Sequence, residues 1–204
     1  MITIINYGLG NIRAFVNVYK RLNITAKIAI HPDDLKDADK IILPGVGAFD
    51  YAMQLLNSSG LRAELENQVI KNKIPVLGIC VGMQMLARSS EEGTLPGLGW
   101  IDGIVKRFRP DFQNNIARLP HMGWNTITPV RNNALLKGFD CTSRFYFLHS
   151  YYFVCNNEHD VIARSEYGEQ FASGVSNSNI FGIQFHPEKS HSNGIRLLEN
   201  FARL

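Results

Sequence analysis

The segment Gly78-Ile79-Cys80-Val81-Gly82 sets a thiol between two glycines, after an apolar stretch and before one with helical spacing. A nucleophile on a sharp strand-to-helix turn needs such small neighbours, because backbone passes close to it on both sides. The N–H groups that open the following helix favour a thiolate, and the N–H of Val81 can hold an oxyanion. Cys80 is therefore the candidate nucleophile; the alternative is a buried structural cysteine.

A thiolate nucleophile needs a base, and the base needs a group that orients it. His186 stands in Gly182-Ile183-Gln184-Phe185-His186-Pro187-Glu188, where an apolar strand ends at a proline. Residues i and i+2 of an extended segment point the same way, so we expect the Glu188 carboxylate beside the imidazole. We interpret His186 as the general base and Glu188 as its orienting group. The alternative is a plain His-Pro-Glu turn.

A second glycine-containing turn, Leu43-Pro44-Gly45-Val46-Gly47, follows another predicted strand. The carboxyl ends of parallel strands share one edge of a sheet, so this turn should lie beside Cys80. Its glycines free the backbone to direct a further N–H, from Val46 or Gly47, at the oxyanion. The alternative is an ordinary Pro-Gly turn.

The other five histidines are weaker candidates. His31, His159 and His191 lie in polar stretches and are predicted to be at the surface. His121 and His149 stand among apolar and aromatic residues, where either a buried, hydrogen-bonded histidine or a functional one fits.

The three cysteines, Cys80, Cys141 and Cys155, are an odd number without metal-ligand spacing. This count argues against a disulfide framework or a metal site and favours a reducing cytoplasm. Cys141 and Cys155 have no motif around them, and we interpret them as structural.

Strand-like and helix-like stretches alternate through the first 90 residues, which predicts βαβ units and a mostly parallel sheet flanked by helices. The predicted strands are 2–6, 26–30, 40–43 and 75–79, and the predicted helices are 11–22, 31–34, 49–56, 61–71 and 81–88. The second half is predicted to hold antiparallel strands at 104–108, 122–128, 144–148, 151–155, 161–166, 170–175 and 180–185. Turns at 166–169 and 176–179 predict hairpins, and a last helix is predicted over 189–201. The fold class is α/β.

Length and composition predict one domain over residues 1–204. The formal net charge of +3 is spread without a basic run, which argues against nucleic acid. No stretch approaches the roughly 20 apolar residues that cross a bilayer, and the first residues lack a signal-peptide pattern. We therefore expect neither a membrane nor a nucleic-acid partner.

Three segments, Pro44 to Gly47, Gly78 to Gln84 and His186 to Ser190, together resemble the class I, or triad-type, glutamine amidotransferases. Residues 6–11, 90–93, 119–125 and 149–151 resemble one branch of that family, which feeds ammonia to a (β/α)8-barrel cyclase in histidine biosynthesis. The resemblance covers nearly the whole chain. It implies a flavodoxin-like fold, hydrolysis of glutamine to glutamate and ammonia, a heterodimer with the cyclase, and no cofactor.

The resemblance also implies roles for particular residues. Cys80, His186 and Glu188 would form the catalytic triad, and the backbone of Val81, Val46 and Gly47 the oxyanion hole. The residues implied to hold glutamine are Gln84, Glu92, Ser150 and Tyr151. Those implied at the partner interface or in regulation are Tyr146, Trp124 and Lys189.

Two segments differ from that branch: a bulky first helix at 13–19 and an unusual stretch at 110–115. They keep open a paralogous glutaminase that supplies a sugar amidotransferase of bacterial surface polysaccharide synthesis. Two further alternatives share the fold. One is a cysteine hydrolase or chaperone-like protein, and the other is a non-catalytic regulatory subunit.

Overall fold

The computed structural model describes residues 1–109 and 118–204. The unusual stretch at 110–115 lies outside the described residues. The helices are α1 Ile12–Arg21, α2 Phe49–Ser58, α3 Arg62–Glu66, α4 Val81–Gln84 and α5 His191–Ala202. The longer strands are β1 Ile2–Ile5, β2 Ala26–Ala29, β3 Lys40–Gly45, β4 Val76–Cys80, β6 Gly103–Arg107, β7 His121–Thr126, β9 Arg144–His149, β10 Tyr151–Cys155, β11 Val161–Tyr167, β12 Glu169–Asn177 and β13 Ile180–Ile183. Two short strands are β5 Ser89–Ser90 and β8 Thr128–Pro129.

The central sheet begins with five parallel strands in the order β2-β1-β3-β4-β13. This is the flavodoxin-like order, and it confirms the predicted parallel sheet. Strands β1, β4 and β13 are buried along their whole length, as expected where helices cover both faces. The register pairs Ile183 with Ile79, so β4 and β13 end side by side. The residues that follow these two strands therefore lie at one edge of the sheet.

The second half continues the sheet with antiparallel strands, as predicted. Strand β12 pairs with β13 and β10 and also with β11, and β10 pairs with β6. Hairpins join β11 to β12 and β12 to β13, in agreement with the predicted turns. Strands β7 and β9 form a separate antiparallel pair, in which His121 lies opposite His149.

The helix predicted over 81–88 is wrong beyond Gln84. The carbonyl oxygens of Met85, Leu86 and Ala87 accept instead from the N–H groups of Leu98, Ile101 and Gly99. A helix cannot continue where another segment takes its carbonyl groups, so the chain turns away after a single turn. The helix dipole invoked for Cys80 is correspondingly small.

Strand β3 continues past its predicted end at Leu43, through Pro44 and Gly45, which pair with Ile79 and Cys80. Pro44 has no N–H to donate, while its carbonyl oxygen accepts from the Tyr7 hydroxyl at 2.7 Å. The longer strand brings the glycine-containing turn directly beside Cys80.

The remaining differences concern element ends. The predicted helix 61–71 is α3 followed by a π-helical turn at Asn67–Lys71, and the last helix begins at His191 after a 3₁₀ turn at Pro187–Lys189. The predicted strand 122–128 is divided between β7 and β8, which pair with different strands. No helix in ranges 1–109 and 118–204 has the length and apolar character of a membrane span.

Candidate active site

Cys80 ends strand β4 on a backbone that L-residues rarely adopt, with φ of 54°. The flanking glycines make this turn possible. A Cβ added at Gly78 would lie 2.6 Å from the carbonyl oxygen of Gly82, and one at Gly82 would overlap the carbonyl oxygen of Leu43. The sequence prediction of a strained strand-to-helix turn with small neighbours therefore matches the geometry.

His186 follows β13 and is fixed by strand β9. Its backbone N–H donates to the carbonyl oxygen of Tyr146 at 2.8 Å. The Ser190 hydroxyl donates to the His186 carbonyl oxygen at 2.6 Å and accepts from the Tyr146 N–H at 3.0 Å. These three bonds tie the turn after β13 to β9, so the imidazole has a set position.

The Glu188 carboxylate meets His186 as predicted, with Oε1 3.0 Å from Nδ1. The extended backbone expected between them is wrong, because residues Pro187–Lys189 form a 3₁₀ turn. Both side chains are almost fully buried. A carboxylate accepts, so Nδ1 carries the proton and Nε2 is left to exchange a proton with the thiol.

Burial by itself lowers the pKa of His186, but hydrogen bonding and charge from Cys80 and Glu188 outweigh it and raise that pKa. A raised imidazole pKa favours the imidazolium, the form that can give a proton to a leaving group. The Gln184 side chain adds an N–H donor at 3.8 Å from the Cys80 sulfur.

Helix α5 packs against this turn through Gly194, where an added Cβ would overlap the carbonyl oxygen of Pro187. We predict that Gly194→Ala lowers the free energy of unfolding by about 1–3 kcal/mol, because overpacking outweighs the better helix propensity of alanine. Urea unfolding measures it. Ser192→Ala, at an exposed position of α5, is the matched control and should change little. Equal stability of both variants would contradict this close packing.

Cys80 and His186 open into one cavity of about 340 Å³. Ten residues to which the resemblance gives a role line it: Val46, Gly47, Cys80, Val81, Gln84, Glu92, Ser150, Tyr151, His186 and Lys189. Pro120, Leu148 and His149 complete the lining. Glu188 lies behind His186 and outside the cavity wall, as an orienting group would.

The three residues expected at a partner interface cluster beside the cavity. The Lys189 ammonium lies 5.7 Å from the centre of the Tyr146 ring, and the Trp124 ring lies 6.3 Å from it. Trp124 and the neighbouring Met122 are exposed.

A sequence model of the family "Glutamine amidotransferase class-I" matches residues 3–204. The chain belongs to the class-I glutamine amidotransferase family. It is 56% identical, over the full length of both chains, to a protein of Bdellovibrio bacteriovorus named "Imidazole glycerol phosphate synthase subunit HisH". Proteins of the same name from Leptospira interrogans and, as "HisH 2", from Pseudomonas aeruginosa are 54% and 47% identical over the full length of both chains.

Solved structures show the same fold at lower identity. One titled "Crystal structure of glutamine amidotransferase" superposes with a TM-score of 0.75 at 22% identity, covering 99% of this chain and 97% of that one. Another, titled "Structure of PurLQS from Thermotoga maritima", gives a TM-score of 0.74 at 18% identity, covering 99% of this chain and 97% of that one.

Two amides in this class-I amidotransferase hold each other in place. Gln84 uses both N–H groups internally, donating to the Tyr151 carbonyl oxygen at 3.0 Å and to Gln184 Oε1 at 3.1 Å. Its Oε1 is therefore the atom suited to meet a ligand in the cavity. Sequence reasoning missed Gln184. The available signal was a polar residue between two apolar ones in a predicted strand that leads to His186.

Glu92 also lines the cavity, and its Oε2 accepts from the Phe49 N–H at 2.8 Å. Burial raises its pKa, and that hydrogen bond opposes the shift. Asp50 accepts from the N–H groups of Thr94 and Leu95, which ties the loop carrying Glu92 to α2.

His121 and His149 are both buried and bonded to each other, with Nδ1 of His121 2.9 Å from Nε2 of His149. Burial lowers the pKa of His121 to about 4. Burial, with the charge of His121, lowers the pKa of His149 to about 3. His31, His159 and His191 are exposed, as predicted.

These lowered pKa values predict how stability depends on pH. Below the ordinary histidine pKa of about 6.5, the unfolded chain binds protons that the folded chain refuses. Stability therefore falls by roughly 1.4 kcal/mol per pH unit for each histidine as the pH drops from about 6.5 to about 4. Denaturant titrations at several pH values in this range measure the slope of the unfolding free energy against pH. His121→Gln should reduce it, and His31→Gln, at the surface, should not. A slope unchanged by His121→Gln would contradict a neutral buried pair.

The other two cysteines lie away from the cavity, and all three are free thiols. Cys141 is exposed. Burial and, next, the charge of Asp160 raise the pKa of Cys155 to about 12, which keeps it a thiol. Across residues 1–109 and 118–204, no three His, Cys, Asp or Glu side chains are grouped as metal ligands.

Proposed function

We propose that this chain, acting as one domain, is the glutaminase subunit of an imidazole glycerol phosphate synthase. The observation that carries the proposal is one cavity lined by Cys80 and His186, with Glu188 hydrogen-bonded to His186 behind the cavity wall, in a class-I amidotransferase. The full-length similarity to proteins named as subunits of that synthase supports the choice of pathway. Cys80 acts as the nucleophile, His186 as the general base and acid, and Glu188 as the orienting carboxylate.

In the first half of the reaction, the Cys80 sulfur attacks the side-chain carboxamide carbon of glutamine. The carbonyl π electrons move to oxygen and give a tetrahedral oxyanion. His186, as imidazolium, then protonates the amide nitrogen, and the C–N bond breaks to release ammonia and leave a thioester. Glu188 stabilises the positive charge on His186 while that proton is held.

In the second half, a water molecule attacks the thioester carbon. The neutral imidazole of His186 takes one proton from the water, and the C–S bond breaks to give glutamate and restore the thiolate–imidazolium pair. The oxyanion of each half would be held by the N–H of Val81 and by the backbone at Val46 and Gly47. Each such donor stabilises the transition state by about 3–4 kcal/mol.

The cavity walls match the polar groups of glutamine. The carboxylate of Glu92 can bind the α-ammonium group of glutamine. Oε1 of Gln84 can accept a hydrogen bond from an N–H group of glutamine. Ser150 and Tyr151 line the side formed between β9 and β10. Together these four residues are proposed to orient the carboxamide towards Cys80.

Ammonia is a useful product only if it is passed on before water protonates it. The cluster of Tyr146, Trp124 and Lys189 beside the cavity is the proposed contact with a (β/α)8-barrel cyclase. That partner would use the ammonia to make imidazole glycerol phosphate and aminoimidazole carboxamide ribotide. The cytoplasm, which is reducing, would keep Cys80 a free thiol.

We predict that the purified chain releases glutamate from glutamine when mixed with the barrel cyclase of the same organism and its ribotide substrate. Glutamate and imidazole glycerol phosphate should appear in equal amounts, because ammonia passes directly between the two proteins. A sugar amidotransferase from the same organism is the control partner. If it, and not the cyclase, stimulated glutamate release, the histidine-pathway assignment would be lost while the glutaminase assignment remained.

A further inference from the structure

A row of buried and partly buried hydrogen bonds runs from strand β7 to the Cys80 sulfur, and the positions of its protons follow from the donors and acceptors. Nδ1 of His149 lies 2.8 Å from the Tyr151 carbonyl oxygen. A carbonyl oxygen only accepts, so Nδ1 carries the proton and Nε2 of the neutral ring is an acceptor. Nδ1 of His121, 2.9 Å from that Nε2, must then donate to it.

The hydrogen bonds at the other end of the row, between His121 and Asn125, agree with this assignment of protons. His121, protonated at Nδ1, accepts at Nε2, where Nδ2 of Asn125 lies 3.2 Å away. The Asn125 amide is oriented by two other bonds. Its Nδ2 donates to the Glu166 carbonyl oxygen at 2.8 Å, and its Oδ1 accepts from the Thr126 N–H at 2.8 Å. The Asn125 side chain therefore holds an N–H donor beside Nε2 of His121, which is an acceptor when Nδ1 carries the proton.

The inner end reaches the nucleophile. The Tyr151 carbonyl oxygen that accepts from His149 also accepts from Gln84, whose second N–H goes to Gln184 Oε1. Because Oε1 of Gln184 accepts from Gln84, the Nε2 group of Gln184 is free to donate elsewhere. This Nε2 lies 3.8 Å from the Cys80 sulfur. Gln84 and Gln184 are at most 3% exposed, so solvent does not compete for these bonds.

Both imidazoles must be neutral for this order to hold. A proton added to His149 Nε2 would face the Nδ1–H of His121, so two donors would meet. The lowered pKa values of the two rings keep them neutral well below physiological pH. The Tyr167 ring stacks on His121 at 4.1 Å and excludes water from that side.

Resting on the proposed glutaminase function, we propose that the His121–His149 pair is a positioning element of the active site. Its proton order fixes the Tyr151 carbonyl and, through it, the amides of Gln84 and Gln184, and Gln184 then holds the Cys80 sulfur for attack. The pair acts through these groups and takes no proton during the reaction. His149 and His121 are thus positioning residues.

The proton order is tested by ¹⁵N-edited NMR of the imidazoles in the wild-type protein at neutral pH. Both His121 and His149 should appear as neutral rings protonated at Nδ1. An Nε2-protonated tautomer at either ring, or an imidazolium, would overturn the proposal. This measurement needs neither substrate nor partner, so it stands apart from the test of glutaminase activity.

The positioning role is tested by comparing two variants. In His121→Phe, the new ring can stack between Phe147 and Tyr167 as the imidazole does at 4.9 and 4.1 Å, but both hydrogen bonds are lost. We expect kcat for glutamine to fall by about 10- to 100-fold, the effect of a small misplacement of reacting groups. In His121→Gln, the amide can donate to His149 and accept from Asn125, so kcat should stay near the wild-type value.

Alkylation of Cys80 by iodoacetamide, followed by peptide mass spectrometry, gives a second readout. Its rate should change in His121→Phe and return towards wild type in His121→Gln, while the exposed Cys141 reacts equally in all three proteins. Unchanged kcat and unchanged Cys80 alkylation in folded His121→Phe would overturn the positioning role. Absence of glutamine turnover in the wild type would instead defeat the proposed function, and the alkylation rates would still decide this inference.

Discussion

Cys80→Ala should abolish glutamate release from glutamine, with a fall of at least about 10⁴-fold in kcat, the scale seen when a covalent nucleophile is removed. Without the sulfur no thioester forms, and the remaining groups can only polarise the carboxamide. The variant should fold as the wild type does, because alanine and cysteine meet the same strain at φ of 54°. The assay is coupled detection of glutamate with the proposed cyclase partner present.

Two comparisons separate lost chemistry from lost structure. Cys141→Ala removes an exposed thiol and should leave turnover unchanged. The Cys80→Ala complex should still make imidazole glycerol phosphate when an ammonium salt replaces glutamine, because only the source of ammonia has been removed. Ordinary glutamine turnover by Cys80→Ala would rule out the covalent mechanism.

Glu188→Gln should lower kcat by about 10³-fold or more, by the same logic as the carboxylate of a hydrolase triad. The glutamine amide can donate to His186 Nδ1, which leaves the proton on Nε2 and blocks acceptance of a proton there. The substitution also removes the negative charge that stabilises the His186 imidazolium. Because Glu188 helps to raise the pKa of His186, its loss lowers that pKa, and the alkaline limb of the pH–rate profile moves to lower pH.

Stability provides the check on this variant. Glu188 Oε2 is buried without a hydrogen-bond partner among the described residues, so the native carboxylate already carries a desolvation cost. Glu188→Gln removes this cost but also removes the attraction to the His186 imidazolium, so kcat is compared at a temperature where denaturant unfolding shows both proteins to be folded. Glu199→Gln, which removes a partly exposed carboxylate on α5, is the matched control and should leave kcat unchanged. Wild-type kcat in Glu188→Gln would show that the carboxylate does not orient the base.

The position of Cys80 could be predicted from the sequence because its requirements are local. The strained turn between strand and helix needs glycines at 78 and 82, and both lie two positions from Cys80 in the chain. The alternation of strands and helices likewise follows from apolar spacing within each segment, and the observed parallel strand order agrees with it. The cavity residues around Cys80 were reached through the family resemblance, because they come from segments far apart in sequence.

The local sequence was sufficient to predict the parallel core, the turn at Cys80 and the position of His186 after a neighbouring strand. Backbone geometry and burial leave a periodic pattern of residue types within each segment. Long-range packing, by contrast, sets where α4 ends, how Glu188 reaches His186, and how hydrogen bonds connect Gln184 with the His121–His149 pair. Those features depend on which distant donor meets which acceptor. Gln184 lies 104 residues from Cys80. No local spacing records such a pairing, because packing alone brings the two groups together.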